Sequence, residues 1–132
     1  MNTVVLLLIS VSLQAPSPKP DRAPAKRVDH SDPVSVTTAV FRAAATAETK
    51  DLKGLCDPDG KNDGDTKAVC RMTTTSKDWP DFVKYFAKAA VSGPARIQGN
   101  KAEVPFLFGP RGTKKETMVL VRRGSGWYLS SF

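Results

Sequence analysis

The chain is poor in the side chains that carry most enzyme chemistry. It has one histidine and two cysteines in 132 residues. His30, Cys56 and Cys70 cannot supply the four ligands of a Cys/His zinc site, so no metal is expected. The sequence has no Gly-x-Ser-x-Gly elbow, no glycine-rich phosphate loop and no His-Glu-x-x-His. These absences remove the usual serine-hydrolase, nucleotide-binding and metalloprotease readings, and no cofactor is expected. Asp81, Glu103 and Glu116 remain as carboxylates for acid–base work, but each reads more simply as a surface residue. No catalytic residues are therefore expected.

Long hydrophobic runs are missing as well. The stretch Val4 to Leu13, with serine as its only polar content, has ten residues. A helix needs about 20 to span a bilayer. Ten suit the apolar centre of a signal peptide. Residues 1–15 are read as that signal and residues 16–31 as a linker carrying Pro16, Pro18, Pro20 and Pro24. Residues 32–132 are left as one α+β domain. No cysteine follows the apolar run directly, so lipid attachment is not expected. The expected location is extracytoplasmic, periplasmic or secreted, with no transmembrane helix after processing.

What is abundant is positive charge, and it is unevenly placed. The net charge is +7, and residues 61–132 carry thirteen Lys/Arg against six Asp/Glu. A basic surface favours anionic partners, although it also serves plain solubility.

Local patterns give the elements. Asp32 is a suitable N-cap with Pro33 behind it, and Val36, Val40, Phe41, Ala44 and Ala47 follow helical spacing. A helix is expected from Pro33 to about Thr49, with a short turn of helix over Asp51–Leu55. Gly54 to Thr75 reads as a polar loop. A second helix is expected from Ser76 until Gly93-Pro94 stops it, with Trp79, Phe82, Val83, Phe86 and Ala90 on one face. Strands follow at Ala95–Gln98, Lys101–Phe108, Glu116–Arg122 and Trp127–Phe132, separated by glycine turns. Ala102, Val104, Phe106 and Phe108 share one strand face, and Pro105 argues for an edge or a bulge. Helices followed by an antiparallel meander make an α+β plan.

Three segments carry a resemblance: Val36 to Ala47 with Phe41-Arg42-Ala43-Ala44-Ala45, the pair Leu52 and Leu55, and Gly126-Trp127-Tyr128-Leu129. Their order over about residues 32–132 resembles the nuclear-transport-factor-two-like superfamily. This group includes ketosteroid isomerases and small exported domains. The resemblance implies N-terminal helices packed on a curved antiparallel sheet in a cone. It also implies an apolar pocket between helix and sheet. Catalytic members use an Asp or His base with a Tyr or Asp oxyanion donor, and no matching positions here carry those roles.

Cys56 and Cys70 form an even, small set, which in an exported chain reads as a disulfide. A metal site or two free thiols are the alternatives. Closing the loop would contribute about 3 kcal/mol through lost unfolded-state entropy. The loop they bracket, Asp57 to Asp65, is rich in acids and glycine and suggests calcium. Aligned with an EF-hand, it puts Lys61 at a ligand position and Cys70 at the bidentate glutamate, so a solvated loop is the better reading.

Two sets of residues are candidates for binding. Trp79, Phe82, Phe86, Phe106, Phe108 and Trp127 either fill a core or wall a pocket for a small apolar ligand. Arg111, Lys114 and Lys115 form a basic hairpin that would dock an acidic partner, a phospholipid head group or an anionic envelope component. The hairpin has no aromatic within its tip, so nucleic acid is not expected as a partner. The leading function is a non-catalytic extracytoplasmic binding or accessory domain. The alternatives are a small ketosteroid-isomerase-like enzyme with a buried carboxylate, and a module docking an anionic partner through its basic half. A buried acid of raised pKa facing the cone would favour the enzyme. A filled cone with a contiguous basic face would favour the docking module.

Overall fold

A computed structural model of the chain describes residues 28–132. The apolar run Val4 to Leu13 and most of the proline-rich linker lie outside the described residues.

The first helix, α1, spans Pro33–Thr46. The Asp32 carboxylate accepts from the Val34 amide at 2.9 Å, which satisfies one of the unpaired donors of the first turn. The helix stops three residues before the expected Thr49 because Ala47 adopts a left-handed conformation, φ 60°. Val36, Val40, Phe41, Ala43 and Ala44 are buried, so most of this helix lies in the core. The expected helical turn over Asp51–Leu55 is a 3-10 turn at Leu52–Gly54, and Leu52 and Leu55 are both buried.

The polar stretch from Gly54 to Thr75 is not all loop. It contains α2, Gly64–Cys70, which the Asp63 carboxylate caps by accepting from the Thr66 amide at 2.8 Å. Two turns of helix behind a glycine leave little periodic signal. Burial of Thr66, Val69 and Cys70 supplies the stabilisation that propensity does not. The next helix, α3, spans Trp79–Phe86 and is shorter than the span drawn from Ser76 to Gly93. The chain leaves it to form a two-residue strand, β1 Ala90–Val91.

The remaining strands are β2 Arg96–Gln98, β3 Lys101–Phe108, β4 Lys114–Arg123 and β5 Gly126–Ser131. All pairings among them are antiparallel. The order is β1-β3-β4-β5, with β2 also on β3, so the five-stranded sheet does not close. β1 and β2 are two pieces of one interrupted edge: Val91 pairs with Phe106, and Arg96 with Glu103. The interruption sits opposite Pro105. The Pro105 carbonyl points to that side, where it accepts from Ser92 at 2.9 Å. In an antiparallel strand the nitrogen of the same residue points the same way, so the missing donor falls where the neighbour breaks.

Ala102, Val104 and Phe106 of β3 share the buried face with Met118 and Leu120 of β4 and with Trp127 and Leu129 of β5. Helix α1 packs against this sheet and against α3. The outer edge of β5 is covered by separate segments: Trp127 donates to the His30 carbonyl at 2.7 Å and Leu129 to the Leu55 carbonyl at 2.7 Å. Asp57 in turn donates to the Leu129 carbonyl.

Candidate functional site

The six aromatic candidates divide between core and margin. Phe82, Phe86, Phe106 and Trp127 are buried, while Trp79 and Phe108 pack partly buried against the same cluster. Phe86 has four ring neighbours: Phe82 at 5.4 Å, Phe108 at 5.9 Å, Phe41 at 6.2 Å and Phe132 at 5.6 Å. Phe41 also lies 5.2 Å from Phe106. These spacings are those of aromatic rings in mutual contact. Trp127 stands apart from that ring network, and the Arg122 guanidinium covers its indole at 4.8 Å.

The basic hairpin is rearranged by the pleat of β4. Lys115 pairs with Leu107 on the outer face of the sheet, one residue out of phase with Lys114, and so leaves the group. In its place α3 contributes Lys84 and Tyr85. Lys84, Tyr85, Gly109, Pro110, Arg111, Thr113 and Lys114 line an open recess of about 260 Å³. The Lys84 and Lys114 ammonium groups lie 5.7 and 5.8 Å from the centre of the Tyr85 ring, within cation–π range.

The turn that carries Arg111 is fixed by its backbone. Gly109, at φ 99°, donates to the Tyr85 carbonyl at 2.7 Å, and Gly112 donates to Gly109 at 2.9 Å. Gly112 has φ 65°, and a Cβ there would stand 2.8 Å from the Lys88 carbonyl oxygen. Only glycine permits both that conformation and that approach. The turn is thus seated on the end of α3, and its cations enter no ion pair among the described residues.

Two acids of the Cys56–Cys70 loop are already engaged. Arg123 forms a two-pronged pair with Asp57, Nε to Oδ1 and Nη2 to Oδ2, each at 2.9 Å, and also reaches Asp59 at 3.2 Å. The Asp57 side chain has no exposed surface. The Arg123 guanidinium holds its carboxyl below the ordinary aspartate value, against the opposing pull of burial. Asp57 is the one buried carboxylate among the described residues, and its pKa moves opposite to a general acid's. Among the described residues no group of three His, Cys, Asp or Glu is placed to hold a metal ion. Cys56 and Cys70 stand at disulfide distance with Cα atoms 6.1 Å apart.

His30, read as linker, is held in the fold. Its Nδ1 lies 2.9 Å from the Trp127 carbonyl oxygen and its ring 4.7 Å from that of Tyr128. Neither Tyr85 nor Lys84 was singled out from sequence. Both stand in the last turn of α3, whereas the sequence pattern runs that helix on toward Gly93, so no spacing along the chain marked them.

Comparison of the chain with protein-family models, with curated proteins and with solved structures gives no match.

Proposed function

We propose that this chain is a non-catalytic, extracytoplasmic docking module that binds an anionic group of a partner in the recess formed by Lys84, Tyr85, Arg111 and Lys114. One observation carries the reading: Lys84 and Lys114 flank the Tyr85 ring of α3, and Arg111 lines the same recess from a turn that backbone bonds and Gly112 hold in place. Pre-set geometry lowers the ordering cost of binding. The packing of Phe41, Phe82, Phe86, Phe106 and Phe108 on one another favours this surface over a pocket under the helices. The fixed pairing of Asp57 speaks against carboxylate catalysis. A Cys56–Cys70 bridge suits an oxidising compartment, which supports the export reading of the N-terminal run. The nuclear-transport-factor-two-like cone is retained as the proposed lineage on element order alone.

The test is retention on an anionic matrix at about 0.1 M salt, where screening is partial. The triple variant Lys84→Ala, Arg111→Ala, Lys114→Ala is compared with Lys50→Ala, Lys67→Ala, Lys77→Ala, which removes equal charge from other exposed positions. The first should elute well before the second. Equal loss in both would reduce the recess to general surface charge.

A further inference from the structure

A second recess adjoins the first. It also has a volume of about 260 Å³ and opens between α2, α3 and the end of β5. Val69, Met72, Phe82, Phe86 and Phe132 form its apolar floor. Asp65, Asp78 and Asp81, all exposed, stand on its rim. Tyr85 lines both recesses, so they lie side by side across one helix, and the sign of the charge changes at that ring. Asp81, Phe82 and Tyr85 of α3 and Asp78 at its N-cap fall at spacings of three, four and seven, which puts them on one side of the helix.

This arrangement narrows the class of partner. We infer that the anionic group bound at Arg111 and Lys114 belongs to an extended peptide segment in which an apolar side chain separates an acidic residue from a basic one. The apolar side chain seats on the floor beside Tyr85, and the basic residue meets Asp78 and Asp81. The inference rests on the docking role of the basic recess. A uniform polyanion or an anionic bilayer is attracted at Arg111 and Lys114 and repelled by Asp65, Asp78 and Asp81 on the adjoining recess. An acyl chain would use the floor but leave the three carboxylates unanswered. Only a ligand with both signs and an apolar centre is complementary along the whole surface, and such complementarity sets which partner is accepted.

The experiment measures binding of labelled ten-residue peptides by fluorescence anisotropy at about 0.1 M salt. Each has a Leu-Phe-Leu centre flanked by two lysines and two glutamates in either order, by four glutamates, or by four lysines. Phosphatidylglycerol vesicles serve as the bilayer probe. One dipolar order should bind on the order of tenfold tighter than either single-sign peptide, the ratio expected when two exposed pairs change from attraction to repulsion. The variant Asp65→Asn, Asp78→Asn, Asp81→Asn should lose that discrimination while still binding the acidic peptide. The variant Arg111→Ala, Lys114→Ala should lose both peptides. Preference for the acidic peptide or the vesicles, unchanged by the three asparagines, would overturn the dipolar inference and leave the basic docking site standing. Binding of no probe that depends on Arg111 and Lys114 would overturn both.

Discussion

Two charged, glycine-containing connections in this molecule use charge in opposite ways. The segment from Cys56 to Cys70 is acidic, and its charges hold the structure together. Asp57 is locked to Arg123, Asp63 caps α2, and the cysteines fasten the ends. The turn from Gly109 to Lys114 is basic, and its structure comes from backbone. Gly109 bonds to Tyr85, and Gly112 fits under the Lys88 carbonyl. Where side-chain charge is spent on folding, little is left for a ligand. Where glycine conformation and main-chain bonds set the shape, the side chains stay available.

The largest way to disturb this contrast is to remove the support beneath the basic turn. Phe86→Ala should cost about 3–5 kcal/mol by urea denaturation, the range for a large aromatic in a packed core. A loss below about 1.5 kcal/mol, together with a fall in the affinity of the parent protein's site for an apolar probe, would instead show that these rings wall a pocket.

Next comes the acidic segment. Cys56→Ser with Cys70→Ser should lower stability by about 2–4 kcal/mol and leave retention through the basic turn unchanged. Coupled loss of retention would show that the two connections are not independent.

Gly112→Ala tests the turn itself. A side chain at φ 65° facing a carbonyl at 2.8 Å should cost about 1–3 kcal/mol. It should also weaken retention, because the turn must lift from Lys88. Stability loss with full retention would mean that the cations act without a fixed frame.

The ion pair gives a pH signature. The Asp57 pKa is depressed in the folded state, so its contribution is fully present above the ordinary aspartate value of about 3.9. It disappears as pH falls through the lower folded value. Arg123→Met should therefore be less stable than the parent at pH 7, and the difference should shrink as the pH falls below the ordinary aspartate value and through the depressed folded one. A pH-independent difference would assign the effect to lost packing.

The smallest expected change is for Arg111→Ala with Lys114→Ala. With both side chains exposed and in no ion pair, stability should stay within about 0.5 kcal/mol, while retention falls. A larger loss would place these cations among the folding contacts.

Legibility in the sequence followed the range of the interactions. The start of α1 was readable because Asp32 and Pro33 act on the next turn of chain. The buried face of β3 was readable because Ala102, Val104 and Phe106 obey the two-residue period. The pairing of Cys56 with Cys70 followed from their being the only cysteines. By contrast, α2 and β1 are too short to carry a period, and only partners such as β5 and β3 make them stable. His30 looked like linker because nothing nearby in sequence announces its bonds to Trp127, which lies 97 positions away.

The sequence by itself thus determined the α+β class, the principal helices and strands, the cysteine pair and the basic balance, since each depends on local periodicity, local capping or composition. Tertiary structure alone decided which charges are spent and which stay free. It tied Arg123 to Asp57 and set Arg122 over Trp127. The pleat turned Lys115 away, and packing brought Lys84 and Tyr85 of α3 to Arg111 and Lys114. Those outcomes depend on how a helix end and a hairpin meet in space, and no spacing along the chain encodes that meeting.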